Sequence, residues 1–227
     1  MIKTMNQLWI IKKYATTIFL LFCTIVSGFG LFTAPESDEN ALERELRHNE
    51  QLLEQVALAV PKKQEDGNRS KQEANSVSVI GDSVFLGAAP TFQKLHGNAV
   101  IDAKISRQVY HGLDVAKKMK KKGTLGDTVI ISLGTNGKFN PATGQELIDY
   151  LGKNREIYWI NVYGKNINWQ NKVNKTIEDL AKKNKNVHII YWTKTAKKHP
   201  DWFYQDGTHL NTKGQRGFSK LIYKKVR

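Results

Sequence analysis

Cysteine is almost absent from this sequence of 227 residues. The single cysteine, Cys23, lies in an apolar run near the N-terminus, so the rest of the chain has no disulfide, no cysteine nucleophile and no cysteine-based metal site. Several histidines also lack the spacing of metal ligands, which indicates structural or solvated side chains: His96, His111, His188 and His199. We therefore expect neither a metal nor another cofactor.

Negative charge is scarce in the C-terminal two thirds of the chain. Residues 76–227 contain 26 Lys and Arg against 11 Asp and Glu, whereas residues 1–75 contain 9 against 10. A positive field of this size favours polyanionic partners, namely nucleic acid, anionic lipid head groups or cell-wall polymers that carry phosphate. The alternative is a lysine-rich surface that serves solubility alone.

One long apolar run, residues 15–34, determines the expected compartment. It contains twenty uncharged residues, and at helical rise it reaches roughly 30 Å, the thickness of a bilayer core. Lys12 and Lys13 precede the run and Glu36 follows it, a charge bias that keeps the N-terminus in the cytoplasm. A cleaved signal peptide is the alternative. The pattern thus predicts a cytoplasmic segment 1–13, a transmembrane anchor 14–34 and a bacterial extracytoplasmic remainder, which removes nucleic acid as a partner.

Residues 35–75 are predicted to form a helical stalk followed by a flexible linker. The helix has a short seam spaced by fours and threes: Leu42, Leu46, Asn49, Leu53, Val56 and Val60. Such a seam fits a weak dimer through residues 42–60, and it fits equally a single amphipathic helix that lies on the membrane or on the following domain. Residues 61–76 have no apolar periodicity, which places the domain boundary near residue 76.

Residues 76–227 alternate between short apolar runs and longer lysine-rich amphipathic stretches. The apolar runs are rich in β-branched and aromatic residues, as in strands buried on both faces: 76–81, 99–103, 127–134, 156–163 and 186–192. The stretches between and after them predict helices: 84–95, 108–122, 142–153, 169–184 and 213–225. Five such units predict an α/β domain of three layers, α/β/α, with a five-stranded parallel sheet.

Small and polar residues follow the predicted strands, where ligand sites of such sheets lie. Gly81, Asp82 and Ser83 follow the first strand, and the sequence Gly134-Thr135-Asn136 follows the third. Gly81 permits a tight bend that exposes the Ser83 hydroxyl, and the Ser83 N–H at a helix N-terminus points to where an oxyanion forms. The Asn136 side chain offers a further oxyanion donor.

Asp206 and His209 lie three residues apart on a predicted turn near the end of the chain. A serine hydroxyl becomes an effective nucleophile when an imidazole takes its proton, and a carboxylate holds that imidazole in the correct tautomer. The sequence therefore predicts Ser83 as nucleophile, His209 as base and Asp206 as its support.

These motifs resemble those of the SGNH (GDSL-like) hydrolase superfamily, over about residues 76–227. The sequences "VIGDSV", "DAKISRQV", "LGTNG" and "DGTHLN" are most similar to the extracytoplasmic domain of bacterial peptidoglycan O-acetyltransferases. The resemblance implies an SGNH or flavodoxin-like fold and a Ser-His-Asp triad that passes acetyl to the C6 hydroxyl of N-acetylmuramic acid. It implies an oxyanion hole formed by Ser83, Ser106 and Asn136, although the family usually has glycine at the position of Ser106.

The resemblance also implies an acetyl supply. The family carries a multi-span membrane domain that delivers acetyl groups, whereas one span is predicted here, so a transferase would need a separate multi-span acyl donor. An esterase or lipase that hydrolyses acetyl esters of wall polymers would need none. A basic wall-binding module without catalysis is the third alternative.

Overall fold

A computed structural model describes residues 37–59 and 76–226. The predicted cytoplasmic segment, the predicted anchor at 14–34 and most of the predicted linker lie outside these residues. Within the two described ranges, no helix is long and apolar enough to span a membrane. The described residues from Asp38 onward form one compact unit.

The core of this unit is a five-stranded sheet in the order β2-β1-β3-β4-β5, in which every neighbouring pair is parallel. The predicted parallel sheet is confirmed. The five apolar runs form it with slightly shorter bounds: β1 Val77–Gly81, β2 Val100–Ala103, β3 Thr128–Ser132, β4 Glu156–Ile160 and β5 Val187–Ile190. Every residue of β1, which lies between β2 and β3, is buried, as its continuous apolar sequence requires.

Helices cover both faces of the sheet. In chain order they are α1 Asp38–Ala59, α2 Ser83–Leu95, α3 Gly112–Lys121, α4 Pro141–Leu151, α5 Gln170–Lys183, α6 Trp192–Ala196 and α7 Thr212–Lys225, with 3-10 turns at Val109–His111 and Pro200–Trp202. One apolar cluster joins the sheet to α2 and α7, and a second joins it to α3, α4 and α5. The domain is therefore the predicted α/β/α arrangement of three layers.

Two capped helices set the position of the site. Asp82 is the N-cap of α2, and its Oδ1 accepts the Val84 N–H at 3.0 Å. Asn211 is the N-cap of α7, and its side-chain oxygen accepts the N–H groups of Lys213 and Gly214. These caps fix the first turn of each helix, so the residues beside them, Ser83 and the segment before Asn211, have defined positions.

The predicted stalk helix, α1, packs against the domain. Leu46 and Asn49 are buried, and the Asn49 Nδ2 donates to the Leu86 O at 3.2 Å. Leu42 and Leu53 pack against the same apolar cluster. The seam that the sequence offered for a dimer is thus occupied by the domain, because its apolar side chains find partners on α2. Only the end of the seam, at Val56, is well exposed among the described side chains.

Candidate active site

Three loops begin side by side at the carboxyl edge of the sheet. Gly81, the last residue of β1, pairs with Ala103 of β2 and with Ser132 of β3. Because β1 lies between β2 and β3, the loops after these strands are neighbours, and the Ser83 loop is the central one. This is the switch point in strand order where doubly wound sheets bind ligands.

Ser83 is the first residue of α2, and its side chain is almost fully buried. The turn before it is tight. A Cβ atom on Gly81 would lie 2.8 Å from the Cβ of Phe85, closer than such atoms approach, so a glycine lets α2 start immediately after β1. The Asp82 N–H continues the sheet by donating to the Ser132 O at 3.0 Å. Ser83 is therefore held on a rigid strand-to-helix turn.

Asp206 and His209 meet Ser83 from a turn before α7, residues 204–210, hereafter the His209 turn. Asp206 Oδ1 accepts the N–H groups of Thr208 and His209, both at 2.9 Å. Asp206 Oδ2 lies 2.5 Å from His209 Nδ1, and His209 Nε2 lies 2.9 Å from Ser83 Oγ. With Nδ1–H donated to the carboxylate, the neutral ring presents Nε2 as acceptor for the Ser83 O–H.

The charge of Asp206 is stabilised by this geometry. Partial burial raises the pKa of Asp206, but the hydrogen bonds from the His209 ring and from the Thr208 and His209 N–H groups outweigh it and lower the pKa to about 2. The carboxylate is therefore ionised at neutral pH and stabilises an imidazolium that forms on His209. The arrangement can activate a serine and hold the resulting cation.

Asp82 differs from Asp206 because it is completely buried. Burial raises the pKa of Asp82 to about 6, although the Val84 N–H, Thr135 and the His209 ring act in the opposite direction. The carboxyl directly precedes the nucleophile in sequence and caps α2. Its role in the geometry is to start the helix that carries Ser83.

Ser106 lies on the loop after β2 in an uncommon backbone conformation. Its φ is +58°, the only positive φ at a non-glycine residue in the described part of the chain. Glycine is favoured in this left-handed region. This agrees with the glycine that is usual at this position in the family that the motifs resemble. The serine keeps its N–H, at a conformational cost of about 1 kcal/mol.

Asn136, on the loop after β3, is held by one hydrogen bond of its side-chain amide and one of its backbone oxygen. Its Nδ2 donates to the Arg107 O at 3.3 Å, and its backbone O accepts the Gln108 Nε2 at 2.6 Å. One of the two Nδ2 hydrogens remains available to a ligand. Gly134, with φ +120°, permits the turn that brings Asn136 to this place.

Arg107 is a site residue whose role is not evident from the sequence. Its buried guanidinium donates to the Gly81 O at 3.0 Å and to the backbone O of Asp102, and it forms an ion pair with Asp102 Oδ1 at 2.5 Å. Lys118 Nζ forms a second ion pair with Asp102, at 3.2 Å from Oδ2. Burial raises the pKa of Asp102, but the positive charges and hydrogen bonds of Arg107 and Lys118 outweigh burial, so the pKa of Asp102 is lowered. The network ties the Ser106 loop to the end of β1. In the sequence, only the position of Arg107 next to Ser106 in "ISRQ" indicated a role at the site.

Two of the histidines that lack a metal-ligand spacing, His96 and His199, pack against aromatic rings. In the described ranges, no group of three or more His, Cys, Asp or Glu side chains is arranged to hold a metal ion. His96 packs between Phe92 and Tyr223, and His199 stacks on Trp202.

Comparisons with known proteins bear on this geometry. No family model matches the chain. The O-acetyltransferase OatA of Staphylococcus aureus is 35% identical over 158 residues, which cover 68% of this chain and 26% of that protein. The putative peptidoglycan O-acetyltransferase YrhL of Bacillus subtilis is 34% identical over 149 residues, covering 66% and 23%. The chain thus spans about a quarter of the length of the curated relatives it matches.

Solved structures share the fold. The C-terminal catalytic domain of Streptococcus pneumoniae peptidoglycan O-acetyltransferase A, with a methylsulfonyl adduct, superposes with a TM-score of 0.58 at 24% identity, covering 66% of this chain and 92% of that one. A putative GDSL-like lipase from Parabacteroides merdae gives a TM-score of 0.52 at 11% identity, covering 68% and 97%.

The sheet order gives this domain the fold of the SGNH (GDSL-like) hydrolase class, and Ser83, His209 and Asp206 form a hydrogen-bonded Ser-His-Asp arrangement on it. Within that class, the chain resembles the peptidoglycan O-acetyltransferases, as its four motifs indicated.

Proposed function

We propose that this domain is a serine acyltransferase that moves acetyl groups to cell-wall glycan through an acetyl-serine on Ser83. The observation that carries the proposal is the chain of two hydrogen bonds, 2.9 Å from Ser83 Oγ to His209 Nε2 and 2.5 Å from His209 Nδ1 to Asp206 Oδ2. The sequence relatives named O-acetyltransferases support the choice of acetyl and of wall glycan.

In the first half-reaction, Ser83 Oγ attacks the carbonyl carbon of an acetyl donor while His209 Nε2 takes the hydroxyl proton. The negative charge on the carbonyl oxygen is stabilised by the Ser83 N–H, the Ser106 N–H and the Asn136 amide. When the tetrahedral intermediate collapses, the bond to the donor breaks and His209 returns its proton to the leaving group. Asp206 stabilises the imidazolium throughout.

In the second half-reaction, a sugar hydroxyl gives its proton to His209 Nε2 and attacks the acetyl-serine. The same donors stabilise the second tetrahedral intermediate, and its collapse returns the proton to Ser83 Oγ and releases the acetylated glycan. Water in place of the sugar hydroxyl would give acetate, which is the esterase reaction. The two reactions share the acyl-enzyme and differ only in the acceptor.

The location and the acetyl supply are part of the proposal. We propose that the catalytic domain, residues 76–227, lies outside the bacterial cell on an anchor at 14–34, because lysines precede the apolar run. Acetyl groups activated in the cytoplasm would then need a multi-span membrane domain to reach Ser83. Protease added to intact protoplasts should remove the catalytic domain, and protection from protease would reverse the topology.

The acceptor is tested with the full-length protein in detergent and an activated acetyl ester, with and without muramic-acid-containing oligomers. We expect acetylated oligomer to form at the expense of free acetate. Free acetate alone, unchanged by oligomer, would identify an esterase, and no turnover at all would identify a wall-binding module. Ser83→Ala is the control for turnover at this site.

The donor is tested in cells that lack wall O-acetylation. We expect wall O-acetyl content to rise when the gene is expressed with a multi-span acyl-donor protein and to stay at background when it is expressed alone. A rise with the gene alone would contradict a separate donor. A fall of pre-existing wall acetyl in an acetylating host would identify an esterase.

A further inference from the structure

Helix α1 contacts the His209 turn through one half-buried carboxylate. Glu45 Oε2 accepts the Tyr204 O–H at 2.8 Å, and Glu45 Oε1 accepts the Gln215 Nε2 at 2.5 Å. The partners lie 159 and 170 residues away in sequence. A single side chain of the predicted stalk therefore binds two residues that lie on either side of His209.

Both partners of Glu45 hold the backbone of the His209 turn. The Tyr204 N–H donates to the His209 O, and the Gly207 N–H donates to the Tyr204 O, both at 2.9 Å. Gln215 Nε2 also donates to the Leu210 O at 3.1 Å, directly after His209. Tyr204 closes the turn at its start and Gln215 at its end, so Glu45 connects the two ends to α1.

The state of Tyr204 suits this role. Burial, together with the hydrogen bond to Glu45 and the charge of its carboxylate, raises the pKa of Tyr204 to about 12. The phenol is thus a protonated donor to Glu45 across the neutral range. A hydrogen bond to a charged acceptor in a partly buried place is worth more than one between neutral groups.

The same helix is also fixed to the element that carries the nucleophile. Asn49 Nδ2 donates to the backbone oxygens of Leu86 and Gly87 on α2, at 3.2 and 3.5 Å. Leu46, one residue after Glu45, is buried beside Gly87. α1 therefore contacts both α2, which begins at Ser83, and the turn that carries His209, and can hold them in register.

We propose that Glu45 is a positioning residue for the reaction: through Tyr204 and Gln215 it fixes the His209 turn relative to Ser83. The proposal rests on the proposed acyl-serine chemistry. The 2.9 Å contact between His209 Nε2 and Ser83 Oγ joins two chain segments 126 residues apart, so its geometry depends on how these segments are held. A displacement of about 1 Å at a reacting group lowers rate by up to about 10²-fold. Partial loosening of the turn should lower kcat about tenfold and leave KM within about twofold.

The test uses full-length protein in detergent, an activated acetyl ester, and the variants Glu45→Ala, Tyr204→Phe and the double variant. We expect each single variant to lower kcat about tenfold at nearly constant KM. The double variant should be no slower than Glu45→Ala, because Tyr204 and Glu45 act through one hydrogen bond. Glu45→Gln, which keeps an oxygen for the Tyr204 O–H, should restore part of kcat.

The matched control is Glu43→Ala on the same helix. Glu43 is exposed and pairs with Arg47 four residues later, a contact confined to α1, so we expect parent kcat and KM. Thermal unfolding of every variant separates a loss of fold from a loss of rate. If Glu45→Ala unfolds at the assay temperature, Tyr204→Phe, which removes one oxygen atom, decides.

Parent kcat in Tyr204→Phe, or strictly multiplicative losses in the double variant, would overturn the proposal. So would an equal loss in Glu43→Ala. Failure of the proposed function has a different signature, namely equal turnover by the parent and by Ser83→Ala. The two outcomes are therefore distinguishable in one set of assays.

Discussion

Replacement of Asp82 by Asn should stabilise the domain in a pH-dependent way. Asp82 is fully buried, and burial raises its pKa from an ordinary 3.8 to about 6. Between these values the folded protein binds a proton that the unfolded chain has lost, so rising pH removes stability, and above pH 6 the full penalty remains. A shift of about two pKa units corresponds to about 3 kcal/mol at 1.36 kcal/mol per unit. Asn keeps an oxygen for the Val84 N–H and is as good an N-cap as Asp. Its buried NH2 group replaces the oxygen that accepts from Thr135, which subtracts an amount of stability that does not change with pH.

The assay is urea unfolding of residues 38–227 at a series of pH values from 4 to 8, with the exposed Asp149→Asn on α4 as control. We expect the free energy of unfolding of Asp82→Asn, relative to the parent, to rise by up to about 3 kcal/mol between pH 4 and the range above pH 6. A difference that is constant with pH, or that is also present in Asp149→Asn, would refute the reasoning, because it would not come from the ionisation of a buried carboxyl.

Three further substitutions test the site and its supports. Asn136→Ala should lower kcat by roughly 10²–10³ at nearly constant KM, the usual loss for one oxyanion donor, and a change in KM alone would assign Asn136 to substrate binding. Ser106→Gly removes the strain at φ +58° and should raise the free energy of unfolding by about 1 kcal/mol in the same urea assay, with turnover retained; a loss of stability would contradict this. Gly217→Ala places a Cβ 2.1 Å from the Trp202 ring and should lower the free energy of unfolding by about 1–3 kcal/mol, with parent-like stability as the contradicting result.

The sheet and its helices were predictable because each strand is a continuous apolar run between lysine-rich amphipathic helices. The observed strand boundaries differ from the predicted ones by one to three residues at most of the strand ends. These are the places where the chain leaves the sheet into polar loops. β4, for example, ends at Ile160, three residues before the predicted end at Tyr163. The backbone N–H and O of Val162 bond to the side chain of Asn174 on α5 instead of to a neighbouring strand.

The sequence predicted that Ser83 and His209 lie together, because both were expected in loops at the carboxyl edge of the sheet. It did not predict the contacts that hold the His209 turn in place. Glu45 and Tyr204 meet across 159 residues, and no local period encodes such a contact. The seam from Leu42 to Val60 was ambiguous because the same spacing of apolar residues serves a dimer and a docked helix. The left-handed conformation of Ser106 was likewise hidden, because serine shows no preference that marks it.

The central claim is that Ser83 carries the acetyl group during turnover. The most direct measurement mixes full-length protein with an activated acetyl ester, quenches with acid on the turnover timescale, and locates added mass by peptide mapping. We predict one acetyl group on the peptide that contains strand β1 and the start of α2. Fragmentation should assign it to Ser83, and it should be absent from Ser83→Ala. Acetylation at another residue, or turnover in Ser83→Ala at more than a few per cent of the parent, would contradict the account.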